Sequence, residues 1–152
     1  MTYDDLITEA EKLGLKVREL NLITKDGYCK GNRIAINKNI PTEAEKKCIL
    51  AEEIAHFKLT AGNITDQNVI QNRRQELKAR RHSYKYLIEP IDLIYAFRNG
   101  AKNRYEMAEL LNVTEETLEE ILIDFRKFYG IGVQMGNYYL QLEPFVGIHK
   151  RF

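Results

Sequence analysis

Apolar residues return at Leu6, Ile7, Ala10 and Leu13 with helical spacing, and Gly14 follows as a stop, so residues 3–13 are predicted to form an amphipathic helix. Leu15, Val17 and Leu20 then alternate as in a strand. Two short β-prone stretches flank Lys30-Gly31-Asn32, where Gly and Asn tolerate positive φ, which predicts a hairpin over residues 27–37 with Ile34 and Ile36 facing the core. Thr42 can cap the next helix, expected from residue 42 to about 60. Its buried stripe is expected at Cys48, Ile49, Ile54 and Leu59, and Glu43 and Glu45 suit its positive end. Ala61-Gly62-Asn63 is the expected stop, and residues up to about 68 are read as a loop.

A helix over residues 69–88 ends at Pro90, another spans 91–98, and residues 104–127 read as two helices broken at Asn112-Val113-Thr114. Thr114 followed by Glu115, Glu116 and Thr117 is a helix-start signature. In the last twenty residues Gly130, Gly132 and Gly136 punctuate a strand-like segment with Tyr138, Tyr139, Leu140 and Leu142, which predicts a final hairpin or edge strands. Together these elements imply an α+β fold.

Composition narrows the picture. The chain has 152 residues, 44% of them hydrophobic and 30% charged, enough for one compact core with room for a small second subdomain. Lys and Arg outnumber Asp and Glu by only 23 to 22, so no global field draws the protein to nucleic acid or a membrane, and any such binding needs a local patch. Residues 1–20 hold no apolar run of leader or membrane-spanning length, from which a cytoplasmic location is expected. Cys29 and Cys48 lack the paired spacing of a structural zinc site and read as two reduced thiols.

Candidate chemistry lies in Glu52-Glu53-Ile54-Ala55-His56. At 3.6 residues per turn, Glu52 and His56 lie one turn apart on one helix face and can converge on an ion, with Glu53 beside them. This is the arrangement of the His-Glu-x-x-His zinc peptidase helix, in which two histidines hold zinc and the intervening glutamate is the general base. Here the first histidine is Glu52. A carboxylate can bind zinc, but it hardens the ligand set and makes manganese or magnesium more competitive. The bland alternative is a solvated helix face, since glutamate is a common helix former.

The hairpin Gly27-Tyr28-Cys29-Lys30-Gly31-Asn32-Arg33-Ile34-Ala35-Ile36-Asn37, the helix Pro41 to His56, and Gly62-Asn63-Ile64-Thr65-Asp66-Gln67 resemble the ImmA/IrrE family of small metallopeptidases of phages, mobile elements and stress regulators. The resemblance runs through most of residues 1–95. It implies a zincin-like core, a short antiparallel sheet packed on an active-site helix, over residues 1–95. A C-terminal helical subdomain ending in strands, residues 96–152, would pack on that core. It further implies that Glu53 is the general base, that zinc (or manganese) is the cofactor unless the site is degenerate, and that the partner is a helix-turn-helix repressor which is cleaved or engaged to relieve repression. Ile34, Ala35, Ile36 and Asn37 would be an edge strand on which an extended substrate pairs.

Two positions depart from the family pattern. Glu52 replaces the first histidine, and the usual third ligand, a glutamate on the next helix, aligns with Lys78. In an antiparallel neighbour, Glu76 would stand within about 5 Å of the height of His56, which makes it the expected third ligand, with Asp66 and His82 as fallbacks. If no metal binds, Lys78 or Arg80 could instead pair with Glu52 or Glu53, and the protein would be a non-catalytic antirepressor using the same cleft.

Two further features stand outside the cleft. Residues 72–85 carry Arg73, Arg74, Lys78, Arg80, Arg81 and Lys85 against Glu76, read as a solvated basic face or an anion grip. Residues 104–118 resemble a helix-turn-helix with Ala108, Val113 and Leu118 as packing residues. Its second helix bears Glu115, Glu116, Glu119, Glu120 and Asp124, so direct DNA reading is not expected.

Overall fold

The computed structural model describes residues 1–59 and 69–150. The chain forms two compact units, Met1–Leu87 and Ile88–Phe152.

In the first unit, helix α1 (Tyr3–Lys12) is opened by a reciprocal cap in which the Thr2 side chain accepts from the Asp5 amide and Asp5 accepts from the Thr2 amide. Strands β1 (Lys16–Leu20), β2 (Gly27–Lys30) and β3 (Arg33–Asn37) form one sheet in the order β1-β3-β2. β2 and β3 are the expected hairpin, turning at Gly31 with φ 59°. The sheet is mixed, whereas an antiparallel one was expected: β3 lies between β1 and β2 and runs parallel to β1. The chain reaches β3 through β2, so β3 returns in the direction of β1.

The central position of β3 also corrects the expectation that Ile34 to Asn37 form an edge. Both sides of β3 are hydrogen-bonded, to β1 and to β2, and cannot accept a further strand. Ile34 and Ile36 are buried in the core as expected.

Helix α2 (Glu43–Leu59) packs across β2 and β3 and against α1 and α3. Its buried stripe is Lys47, Leu50, Ala51, Ile54 and Ala55. The expected stripe held only Ile54 of these, because Cys48, Ile49 and Leu59 are merely half-buried at its flank. The difference arises because α2 is covered from several sides at once, by α1, α3, β2 and β3. Helix α3 (Val69–Leu87) likewise buries Ala79, Ser83 and Leu87 while its charged residues stay exposed. The expected helix stop and loop, residues 61–68, lie outside the described residues.

The second unit contains α4 (Pro90–Arg98), α5 (Arg104–Leu111), α6 (Glu115–Tyr129) and a meander of β4 (Gly132–Met135), β5 (Tyr138–Gln141) and β6 (Gly147–Lys150). The division expected after residue 95 differs from this one, since α4 packs on α5, β5 and β6. Asn112 takes the left-handed conformation at the end of α5, and Thr114 caps α6 by accepting from the Thr117 amide. Ala108, Val113 and Leu118 are buried, and Arg104 pairs with Glu119 across the two helices. The sequence predicted a final hairpin or edge strands here, and the segment forms this three-stranded meander. Among the described residues no helix is long and apolar enough to cross a membrane.

Candidate metal centre

The neighbouring helices α2 and α3 bring three donors together. One ligand atom from each of Glu52, His56 and Glu76 lies within 4.8 Å of the other two. His56 Nε2 is 4.0 Å from Glu52 Oε1 and 3.3 Å from Glu76 Oε2. Glu52 and His56 meet because they stand one helical turn apart, and Glu76 joins them because α3 lies alongside α2. The expected set is therefore assembled by tertiary packing, with His56 the most buried of the three and Glu76 half exposed.

The donors suit a divalent cation. Atoms bound at about 2.0–2.2 Å around a tetrahedral ion stand about 3.3 Å apart. The His56–Glu76 separation already matches, and Glu52 needs only a small side-chain movement to join. Two carboxylates and one imidazole form a harder set than two histidines and a carboxylate, so manganese competes better here than at a histidine-rich site.

Glu53 lies beside the cluster. Its carboxyl is pushed up to about 7, first by burial, then by the negative charges of Glu52 and Glu76, with Lys25 opposing. A group titrating near neutrality is suited to taking a proton and handing it on. Lys25 comes from the β1–β2 loop, which the Asn37 side chain anchors by donating from Nδ2 to the carbonyls of Leu22 (3.2 Å) and Lys25 (3.3 Å). Asn37 thus serves the site as a brace, while Ala35 lies on the sheet face opposite α2.

Among the described residues, neither Lys78 nor Arg80 forms an ion pair with Glu52 or Glu53, so the salt-bridged substitute for a metal site is not formed. His82 stays out of the cluster. It stands edge-on to Tyr86 at 5.9 Å, and burial and then Lys85, Lys58 and Lys78 hold its pKa below the usual imidazole value. Those same cations disfavour a metal ion. Asp66 lies outside the described residues. Tyr84 is buried, and the Tyr86 hydroxyl is buried without a hydrogen-bond partner among the described residues.

Two neighbours of the site were not foreseen. A Cβ added to Gly27 would stand 2.6 Å from Ile49 Cγ2 and 3.3 Å from Glu53 Oε1, so only glycine lets β2 pass this close to α2. The sequence showed Gly27 as a strand start and carried no local sign of that approach. Gly27→Val is expected to push α2 from β2 and cost about 1–3 kcal/mol. This is to be read as a lower urea midpoint with unchanged slope; an unmoved midpoint would refute the close approach. The second neighbour, Cys29, has its thiol pushed up to about 11 by burial and by Glu53, which leaves it protonated and unreactive at neutral pH.

No curated protein sequence and no solved structure gives a significant match to the chain. Residues 10–122 match the peptidase M78 family, described as the IrrE N-terminal-like domain, a span that includes Glu52, Glu53, His56 and Glu76. With well over half its length matched, across both helices that carry the cluster, the chain belongs to the M78, IrrE N-terminal-like family of peptidases.

Proposed function

We propose that the protein is a metal-dependent peptidase that cleaves, or at least engages, a helix-turn-helix repressor and so relieves repression. The observation that carries the reaction is the Glu52, His56 and Glu76 cluster with Glu53 beside it. Glu52, His56 and Glu76 would hold zinc or manganese, and the bound ion would polarise a peptide carbonyl and make water acidic enough to attack at neutral pH. Glu53 accepts the proton of the attacking water and passes it to the leaving amine, a role its raised pKa suits.

The substrate edge is better assigned to β2. In the antiparallel ladder with β3, the Asn37 amide donates to the Asp26 carbonyl, so by alternation Tyr28 and Lys30 bond inward while the backbone groups of Gly27 and Cys29 point to the open edge. That edge runs beside Glu53, and an extended polypeptide pairing there would lie along the cluster. Support for a repressor as the substrate comes from family membership alone.

The second reading is an antirepressor that binds through the same cleft without metal. It is favoured by Glu52 and Lys78, which stand where the family resemblance expects a histidine and a glutamate. Protein purified without chelator separates the two. The peptidase reading expects close to one zinc or manganese per chain and cleavage of an unstructured protein substrate that a chelator abolishes. Repressor binding with no metal and no cleavage would leave the antirepressor.

A further inference from the structure

Lys16, Arg33 and Lys30 stand abreast on one rung of the first sheet. Their side chains point away from α2, because the alternate residues of β3, Ile34 and Ile36, are buried on the other face. The next rung is Arg18, Ala35 and Tyr28. Ala35 is small, so a hollow of about 530 Å³ opens between Arg18 and Tyr28, rimmed by the three cations and by Leu20. Like charges directly opposite one another on neighbouring strands repel. Among the described residues no carboxylate forms an ion pair with any of these four cations. An acidic ligand would relieve that repulsion.

Several anions fit the charge, and two observations choose between them. Sheets that read single-stranded nucleic acid stack two or three bases on aromatic rings. Here Tyr28 is the aromatic residue of the hollow, and the Lys25 ammonium covers its ring at 4.5 Å. In addition, β2 belongs to both features: Tyr28 and Lys30 wall the hollow, while Gly27 and Cys29 form the edge beside Glu53. A strand added to β2 would turn alternate side chains toward the metal cluster and the remainder toward Lys30 and Tyr28.

We propose that the outer face of this sheet is an exosite for an acidic stretch of polypeptide that pairs with β2, its Glu or Asp residues falling beside Lys30 and extending the rung of cations. This deepens the peptidase reading and rests on it for the identity of the bound chain.

The test is fluorescence anisotropy with a labelled peptide of alternating glutamate and valine and its counterpart with glutamine for glutamate, titrated with the full-chain Glu53→Gln protein. The acidic peptide is expected to bind about 10-fold tighter. High salt should erase the difference, as should Lys16→Gln, Lys30→Gln and Arg33→Gln combined, with no loss of melting temperature. Equal binding of the two peptides, or a preference that survives the triple substitution, overturns the proposal. So does stronger competition by oligothymidylate or by phosphatidylserine vesicles, which would give the face to nucleic acid or membrane. His56→Ala should keep the preference, because it removes the cluster and leaves the face. Preference without metal binding or cleavage therefore sinks only the peptidase reading, and metal-dependent cleavage without preference sinks only the exosite.

Discussion

Glu53→Gln is expected to lower peptide hydrolysis by about 10²- to 10⁴-fold while leaving metal content unchanged, because glutamine keeps the shape of the side chain but accepts no proton. The same substitution should stabilise the metal-free protein. In the folded state the Glu53 carboxyl titrates at about 7 rather than at its ordinary 4.5, chiefly because burial disfavours its charge. Between those two values the unfolded chain has released the proton and the folded chain still holds it, so wild-type stability falls as pH rises through this window and stays low above it. At about 1.4 kcal/mol per unit, the loss is at most about 3.5 kcal/mol, and the variant should not show it. Urea denaturation at pH 4.5 and pH 8 in chelator measures this. Parallel pH profiles for the two proteins, or a variant that still cleaves at the wild-type rate, would remove Glu53 from the role given to it.

Glu76→Ala is expected to weaken zinc and manganese binding by at least about 100-fold, more than the 10- to 100-fold that loss of an outer hydrogen-bond partner usually costs. Of the two carboxylates in the cluster, Glu76 has the oxygen nearer His56 Nε2, and its removal would leave two candidate ligands, both on α2. Because the side chain is half exposed, the fold should tolerate the change, which near-unchanged melting of the metal-free protein would show. Titration by calorimetry against wild type reads the effect directly. Unchanged affinity would mean that the third ligand comes from another residue, and Asp66→Ala would then be the variant to compare.

Much of this protein is local in origin and therefore legible before folding. Helix starts at Thr42 and Thr114, the stop at Asn112 and the turn at Gly31 are set by side-chain caps and by the freedom of Gly and Asn at positive φ. The meeting of Glu52 and His56 follows from helical pitch alone, and Glu53 follows from its place beside them. What failed was long-range. The inward face of α2 was misplaced because helical period gives the spacing of a stripe but not its rotation when four elements share the surface, and Lys47 is drawn in where hydropathy would leave it out. β3 was taken for an edge because a hairpin shows which strands are neighbours in sequence and says nothing of a third strand arriving from before it.

The sequence by itself determined the elements, the acid and the imidazole one turn apart, and the family. Tertiary packing decided the rest: that Glu76 rather than His82 completes the cluster, that Gly27 brings β2 against Glu53, and that Lys16, Arg33 and Lys30 stand on one rung. Pitch and capping act over a few residues and are written in neighbouring side chains, whereas a ligand set or a rung of charge drawn from separate elements exists only once those elements have docked.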